Sequence, residues 1–462
     1  MLLRPRADGQ EQPYLPAGMF KIRLPLVHYR LESPEMLQAV LMIAVGFSAI
    51  PLLQETLGMP FDVALTVVAL AEFLNLLHVL LGDPVVPGWI TSAIPLTIVY
   101  LGGYKVGPDS VHAMMALQIL VSLLFIAMGL TGLAHRLTRA VPAALKAGIL
   151  LGAGIAAVNR EFQPGGHIAK FPISIGVGAA LTFFILFSLR YKMIKSRYGF
   201  LAQIGKYGML PGMVLAMVVG PLVGELAIPR IQWGFINFRF GEMIAQYSPW
   251  GIGFPSLGMF ASALPMAVAV YLIAFGEIVT ADAVLKDAAK DRPDEVVEFD
   301  PNRANLITGF RNLVLALTGP FTPLSGPLWA AISIAICERY REGRKAVDSI
   351  FGAMGSFRIS AAVCVMLLPI ASLCKPVLPI ALALTLLVQG FACSYIALDM
   401  VKDKTSAGIA GVMAAVVALK GINWGLAVGV CLYLLLWNIE RKRAPEAALS
   451  GTPSGTGRPA GA

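Results

Sequence analysis

The sequence predicts an all-α polytopic membrane protein of about fourteen transmembrane spans, arranged as two inverted seven-span repeats. Apolar residues make up 57% of the 462 residues and charged residues only 14%, so lipid must surround most of the chain. Segments of about 20 apolar residues, the length that crosses a bilayer, recur between Met36 and Trp437. The third and tenth of these segments are interrupted by Pro and Gly, which predicts a short extended strand in each.

The distribution of apolar residues divides the chain into five regions. We expect a cytoplasmic N-terminal arm at 1–35, a first seven-span repeat at 36–226 and a periplasmic connection at 227–259. A second seven-span repeat at 260–438 and a disordered cytoplasmic tail at 439–462 complete the chain. The arm has no signal-peptide pattern, and the tail is rich in Gly, Pro, Ser and Ala. An odd number of spans in each repeat makes the two repeats inverted.

The basic residues of the loops support an even number of spans with both termini in the cytoplasm. Lys and Arg collect in short cytoplasmic loops, and the loops predicted to lie outside hold only Lys105, Arg160, Lys170, Arg230, Arg239, Lys375 and Lys420. Removing one span would reverse this bias in every later loop. The pattern predicts a multi-pass inner-membrane protein, and it explains the net charge of +9 without a nucleic-acid partner.

The third span begins with residues that disfavour a helix. Pro87 and Gly88 keep the chain extended as far as Thr91 or Ser92, both good N-caps, and Pro95 is tolerated in a first helical turn. The sequence therefore predicts an extended strand that leads into a half-helix.

The tenth span repeats this pattern. Pro323 precedes Ser325 and Gly326, and Pro327 follows at the expected first turn, so Ser325 is the predicted N-cap of a second half-helix. Irregular backbone at membrane depth survives only where protein or a water-filled cavity satisfies its polar groups. Paired breaks in corresponding spans indicate a transporter's binding site.

Two half-helix N-termini that face each other would present N–H groups and positive dipole ends to a solute. We predict that the solute site contains Thr91, Ser92 and Ala93 of span three, with Ser325 and Gly326 of span ten. The alternative is that both breaks are proline kinks between packed helices.

One acidic residue lies near the middle of the eighth predicted span. Glu277 should face a cavity, because a carboxylate at this depth is expensive, and it is a candidate for solute binding and for coupling. The alternative is a structural carboxylate that bonds Thr280 or a neighbouring helix. Asp282 is a second coupling candidate nearer the cytoplasm, and Arg311 in span nine is expected to pair with an acid.

Metal and catalytic motifs are absent from the sequence. The five cysteines have no metal-type spacing, and we expect neither a metal site nor a cofactor. A membrane-embedded enzyme is the most distant hypothesis, since the chain has no HExxH pair, no paired catalytic aspartates and no nucleophile beside a base. The sequence therefore predicts that the protein is not an enzyme.

The interrupted spans resemble those of a known superfamily. Two inverted seven-span repeats with strand-and-helix third and tenth spans are similar to the fold shared by the nucleobase/ascorbate permeases, the sulfate permeases and the bicarbonate/borate transporters. Leu37-Gln38, Gly46 and Ile50-Pro51 resemble the first span of the nucleobase permeases (the xanthine/uracil permease family), and residues 87–93 resemble their third-span turn. The resemblance places spans one to four and eight to eleven in a mobile core, and the others in a gate that mediates dimers.

The same resemblance implies a role for Glu277 and leaves the solute open. Glu277 falls where those permeases have an eighth-span glutamate that binds the base, whereas Pro327 stands where they have a second glutamate. The stretch from Asp300 to Asn312 is instead similar to the sulfate permeases.

The main functional hypothesis is a secondary-active permease that carries out proton-coupled symport of a small planar or anionic solute, nucleobase-like. The alternative is an inorganic anion or carboxylate transporter of the sulfate-permease type. The expected partners are the solute, a proton or sodium as coupling ion, the lipid bilayer and a second copy in a homodimer.

Overall fold

The computed structural model describes residues 6–134, 136, 141–195, 197–205 and 207–447. For residues 202, 203 and 437–447 it describes the backbone alone. The predicted disordered tail begins at residue 439, but residues 439–447 continue a helix, and the rest of the tail lies outside the described residues.

The first half of the chain is mostly helical, and several of its helices have proline in the first turn, where no N–H is needed. Gly82 and Gly132 end α3 and α5 in the left-handed conformation that favours glycine, with φ of 109° and 66°. The helices are α1 (Ser33–Phe47), α2 (Ala49–Leu57), α3 (Phe61–Leu81), α4 (Ile94–Leu101), α5 (Pro108–Thr131), α6 (Ala143–Phe162), α7 (His167–Lys170), α8 (Pro172–Phe187), α9 (Leu189–Lys195), α10 (Gly199–Gly205) and α11 (Leu210–Leu222).

The second half begins several helices with a side chain that accepts a backbone N–H, as Ser256, Asp300, Ser349 and Asp403 do. Its helices are α12 (Phe240–Tyr247), α13 (Pro249–Ile252), α14 (Leu257–Ala289), α15 (Pro301–Thr318), α16 (Ala330–Arg341), α17 (Ile350–Cys364), α18 (Leu368–Cys374), α19 (Leu378–Met400), α20 (Lys404–Lys420) and α21 (Ile422–Ala447). Single 3-10 turns precede α4 (Thr91–Ala93) and α19 (Lys375–Val377).

Short strands form three two-stranded pairs, two of which join distant parts of the chain. They are β1 (Gln10–Glu11), β2 (Leu15–Ala17), β3 (Phe20–Ile22), β4 (Gly88–Trp89), β5 (Glu295–Val296) and β6 (Ser325–Gly326). β1 pairs with β5 in parallel, and β2 with β3 antiparallel. β4 and β6 pair antiparallel, with Gly88 opposite Gly326 and Trp89 opposite Ser325. The extended strands predicted in the third and tenth spans are thus present, and they pair with each other.

The two half-helices begin later than the predicted caps. A 3-10 turn at Thr91–Ala93 precedes α4, so Ser92 does not cap that helix, and α16 begins only at Ala330, so Ser325 does not cap it either. The backbone ladder explains the second difference. The Trp329 N–H donates to the Val86 carbonyl oxygen at 2.6 Å, which keeps the chain extended beyond Pro327.

The helices pack into two groups. α1, α3, α5 and α14–α17 form one group through the α5–α15, α5–α14 and α1–α17 contacts, and we call it the core bundle. α6, α8, α11 and α19–α21 form a second group through the α6–α20, α6–α19 and α8–α11 contacts, and we call it the flanking bundle. α4 contacts both α5 and α6, so it lies at the boundary between the two bundles. The resemblance places span three, which contains α4, in the mobile core, whereas the structure places α4 between the two groups.

Within the described residues, six helices are long and apolar enough to cross a membrane. A seventh span results if α8 and α9, which meet at a bend of 67°, count as one. The chain is therefore a multi-pass membrane protein. The other predicted spans correspond to shorter or more polar helices, and the count of fourteen stays a prediction.

Ion pairs tie the N-terminal arm to the core bundle. Arg6 pairs with Asp294 at 3.1 Å and Lys21 pairs with Glu298, whereas the buried Arg23 pairs with Glu11 inside the arm. The Arg292 guanidinium donates to the Asp294 carboxylate, which holds the pKa of Asp294 well below its usual range. We call Arg6, Arg292 and Asp294 the N-terminal clasp.

Candidate functional site

The centre of the candidate site is the antiparallel crossing of β4 and β6. Gly88, Ser325 and Gly326 are buried, and Trp89 is half-buried. A Cβ atom on Gly326 would lie 2.7 Å from the Trp89 carbonyl carbon, and real Cβ atoms do not approach other atoms so closely. Only glycine fits at this position, because the two strands run in contact.

Glu277 on α14 lies directly against this crossing. Its Oε2 would be 2.9 Å from a Cβ atom on Gly326. The same oxygen is buried, and it has no hydrogen-bond partner among the described residues. A buried carboxylate oxygen without a partner is costly. The position therefore favours a proton, a cation or a bound solute that supplies the missing contact.

The predicted residues of span three lie in the 3-10 turn between the two bundles. This turn contacts α14 of the core bundle and α6 and α19 of the flanking bundle. Ala93 is buried, whereas Thr91 and Ser92 are half-buried. The Ser92 hydroxyl lies 3.5 Å from Gln389 Oε1 on α19, which is a long contact. The turn is thus at the boundary between the two bundles.

The Asn312 side chain holds the backbone of Ser325 through hydrogen bonds, in which the Ser325 hydroxyl takes no part. The Asn312 side chain accepts from the Ser325 N–H at 3.0 Å and donates to the Ser325 carbonyl oxygen at 2.8 Å. Gln118 on α5 donates to the same Asn312 oxygen at 3.2 Å and accepts from the Phe321 N–H at 2.9 Å. The buried Ser325 Oγ has no partner among the described residues.

Arg311 on α15 binds both strands of the crossing. Its guanidinium donates to the carbonyl oxygens of Gly326 at 2.9 Å and of Gly88 at 3.3 Å. It also donates to Asn75 and to His78 Nε2. The prediction that Arg311 pairs with an acid is wrong. No described carboxylate pairs with Arg311, and its hydrogen-bond partners are carbonyl, amide and imidazole groups.

His78 connects Arg311 to a second ion pair. Because a guanidinium can only donate, His78 Nε2 accepts from it, and the Nδ1–H donates to Asp83 at 3.1 Å. Asp83 in turn pairs with Arg303 at 2.8 Å. The histidine is therefore a neutral link in a buried polar chain.

The structure brings some of the predicted residues together and leaves one apart. Glu277, Ser325 and Gly326 meet at the crossing, and the 3-10 turn with Thr91, Ser92 and Ala93 follows β4 directly. Asp282 does not join them, because it pairs with Lys286 one helical turn away at 2.7 Å.

Asn312, Gln118 and the contacts of Arg311 with the two strands were not predicted. Their partners lie far away in the chain, and the only signal was the presence of polar residues inside apolar spans.

No protein-family model and no curated protein sequence matches this chain. Solved structures do match. SLC26A9 has 14% sequence identity and a TM-score of 0.54 over 88% of this chain and 65% of that chain. Murine Slc26a9, described as an anion transporter in the inward-facing state, has 14% identity and a TM-score of 0.51 over 90% of this chain and 70% of that chain.

A third match is the transmembrane domain of a cyanobacterium bicarbonate transporter, BicA, with 12% identity and a TM-score of 0.48 over 86% of this chain and 96% of that chain. Because the two SLC26A9 matches have only 14% sequence identity to this chain, they show a shared fold alone. The present chain spans about two thirds of the length of those proteins. No nucleobase permease is among these three structures.

Proposed function

We propose that this protein is a secondary-active transporter of a small inorganic or carboxylate anion, and that the anion binds at the crossing of β4 and β6 beside Glu277. The observation that carries the proposal is the unpartnered, buried Glu277 Oε2 held against Gly326. The fold shared with an anion transporter supports it. Pro327 supports it as well, since it leaves the crossing without a second glutamate.

The charges at the crossing suggest how a cation is coupled. An ionised Glu277 repels an anion, so the anion binds well only when a proton or a sodium ion neutralises the carboxylate. Each solute then stabilises the binding of the other, which is the thermodynamic basis of symport. Glu277 is therefore the proposed coupling residue, and the hydroxyls of Ser92 and Ser325 are proposed donors to the anion.

The proposed topology has fourteen spans in two inverted repeats. The six long apolar helices are joined by α8, by the half-helices α4 and α16, and by α11, α15, α17, α20 and α21. Antiparallel pairing of β4 with β6 is the arrangement expected of equivalent strands from inverted repeats. We place the protein in the inner membrane, with both termini in the cytoplasm. The connection at 227–259 lies in the periplasm. Transport follows from movement of the core bundle against the flanking bundle. The flanking bundle also forms the dimer interface.

Uptake into proteoliposomes tests the proposal. Purified protein is reconstituted, and uptake of labelled bicarbonate, sulfate, a dicarboxylate, uracil and xanthine is measured under imposed proton or sodium gradients. We expect at least one anion to accumulate in response to a gradient, and the nucleobases neither to accumulate nor to compete.

The variant Glu277→Gln should lose gradient-driven accumulation. Glu338→Gln, which changes an exposed glutamate on α16, should retain it. Accumulation of nucleobases alone, or a Glu277→Gln protein that still concentrates the anion, contradicts the proposal.

A further inference from the structure

The buried arginines of the described residues differ in one respect. Five of them each pair with a carboxylate. The pairs are Arg6 with Asp294, Arg23 with Glu11, Arg292 with Asp294, Arg303 with Asp83, and Arg358 with Glu72. Arg311 is as deeply buried, at 1% exposed, and none of the described carboxylates lies within ion-pair distance of it. It is therefore an exception to the rule that this chain otherwise follows.

The cost of this exception is high. A buried guanidinium stays charged, because its pKa in water is far above neutral. Hydrogen bonds to carbonyl oxygens stabilise it in part, but its net charge is not cancelled. A cation in a low-dielectric interior creates a positive potential over neighbouring atoms.

The position of Arg311 directs this potential to the crossing. It binds the carbonyl oxygens of Gly88 and Gly326, which are register partners in the β4–β6 pair. Glu277 lies against the Cα side of the same Gly326. Among the described residues, the buried Glu72, Asp83 and Glu295 each have a basic partner, whereas the half-buried Glu277 has no ion pair and its buried Oε2 has no hydrogen-bond partner. Arg311 and Glu277, neither of which has an ion-pair partner among the described residues, thus lie beside the same residue, Gly326.

We propose that Arg311 is the positioning residue that makes the β4–β6 crossing selective for anions, by holding the two strands in register and supplying the positive charge that retains the solute. The inference rests on the proposed function and adds the source of its charge selectivity. With Glu277 neutralised, Arg311 leaves the crossing with a net positive charge, and one anion restores balance. The ligand class is a small anion of one or two charges.

Charge and geometry are separated by two substitutions. Arg311→Gln keeps hydrogen-bond donors and removes the charge, whereas Arg311→Lys keeps the charge and loses the planar fork that reaches both carbonyl groups. Arg230→Gln, at an exposed arginine of the periplasmic connection, controls for loss of a positive charge elsewhere. Each protein is assayed in proteoliposomes for the KM and maximal rate of the anion that the wild type transports, and its Tm is measured.

We expect Arg311→Gln to raise the KM for the anion about tenfold or more, with a much smaller change in maximal rate. Arg311→Lys should raise the KM clearly less than Arg311→Gln does, because it retains the charge although it loses the planar fork. Arg230→Gln should match the wild type.

An unchanged KM in Arg311→Gln overturns the inference. An equal KM increase in Arg311→Gln and Arg311→Lys also overturns it, since geometry alone would then explain the loss. If Arg311→Gln does not fold, Arg311→Lys decides, and a KM increase of about tenfold in that variant at wild-type Tm counts against the inference. A wild type that transports no anion contradicts the proposed function itself, whereas a wild type that transports an anion with a KM indifferent to Arg311 leaves that function intact.

Discussion

The two bundles differ in their polar contacts, although close glycine contacts occur in both, as at Gly309 against Ile126 in the core bundle. In the core bundle, polar side chains join neighbouring elements, since Asn312 on α15 binds Ser325 of β6 and Arg358 pairs with Glu72 at 2.9 Å. In the flanking bundle, backbones approach closely through glycine, as at Gly154 opposite the Gly390 carbonyl oxygen. Directional bonds fix geometry, whereas small apolar contacts leave smooth surfaces between helices. In the proposed mechanism, this difference lets the core bundle preserve the site while the flanking bundle provides a surface for movement.

Breaking an ion pair of the core bundle should have the largest effect. Arg358→Met leaves the Glu72 carboxylate, only 3% exposed, without its cation. We expect a loss of about 3–5 kcal/mol in the free energy of unfolding, because an uncompensated buried charge is strongly destabilising. Denaturant unfolding in detergent, followed by tryptophan fluorescence, measures it.

The double variant Arg358→Met with Glu72→Gln should recover much of this loss, since it removes both charges. A single variant that unfolds within about 1 kcal/mol of the wild type would show that this ion pair does not hold the core bundle together.

Asn312→Ala tests the polar contacts of β6 directly. It removes both bonds to the Ser325 backbone and leaves its N–H and C=O without their side-chain partner. We expect a loss of about 2–4 kcal/mol, since each buried unsatisfied group costs about 1–3 kcal/mol. Asn237→Ala, at an exposed asparagine, should change stability by no more than about 0.5 kcal/mol. Equal stability of the two variants contradicts the assignment.

Gly212→Ala tests close packing in the flanking bundle. Its Cβ atom would collide with Thr182 Oγ1 and lie 2.5 Å from the Gly178 carbonyl oxygen. We expect overpacking to cost about 1–3 kcal/mol. Gly176→Ala lies on α8 in the same bundle with nothing within 4 Å of the added atom, and it should be neutral or stabilising. If both substitutions are tolerated, close glycine contacts do not organise this bundle.

The smallest expected effect concerns the N-terminal clasp and depends on pH. Because Arg292 and Arg6 lower the pKa of Asp294 in the folded protein, the ionised carboxylate stabilises it above the ordinary value of 3.8. That contribution is lost as the pH falls below this value. The Tm of the wild type should exceed that of Asp294→Asn at pH 7, and the difference should shrink in acid. A difference that is constant or grows on acidification would contradict the account.

The sequence allowed the two strands and the position of Glu277 within a membrane helix to be predicted, but not the contacts that hold them. The prolines before Ser92 and Ser325 restrict the backbone locally, so the extended segments could be read from residue order. The helix starts could not, because the bond from Trp329 to Val86 depends on pairing between spans that are far apart. The partners of Arg311 were unpredictable for the same reason. The solute was left open because neither Glu277 nor Pro327 distinguishes an anion from a nucleobase without the geometry around them.

The most direct test of the central claim is the linkage between cation and anion binding at the crossing. Calorimetric titration of the transported anion into purified protein, repeated at several proton and sodium concentrations, measures it. We predict that the wild-type affinity rises with one of these cations, that Glu277→Gln binds with an affinity independent of both, and that Glu338→Gln behaves as the wild type. Cation-dependent affinity that persists unchanged in Glu277→Gln would contradict the account.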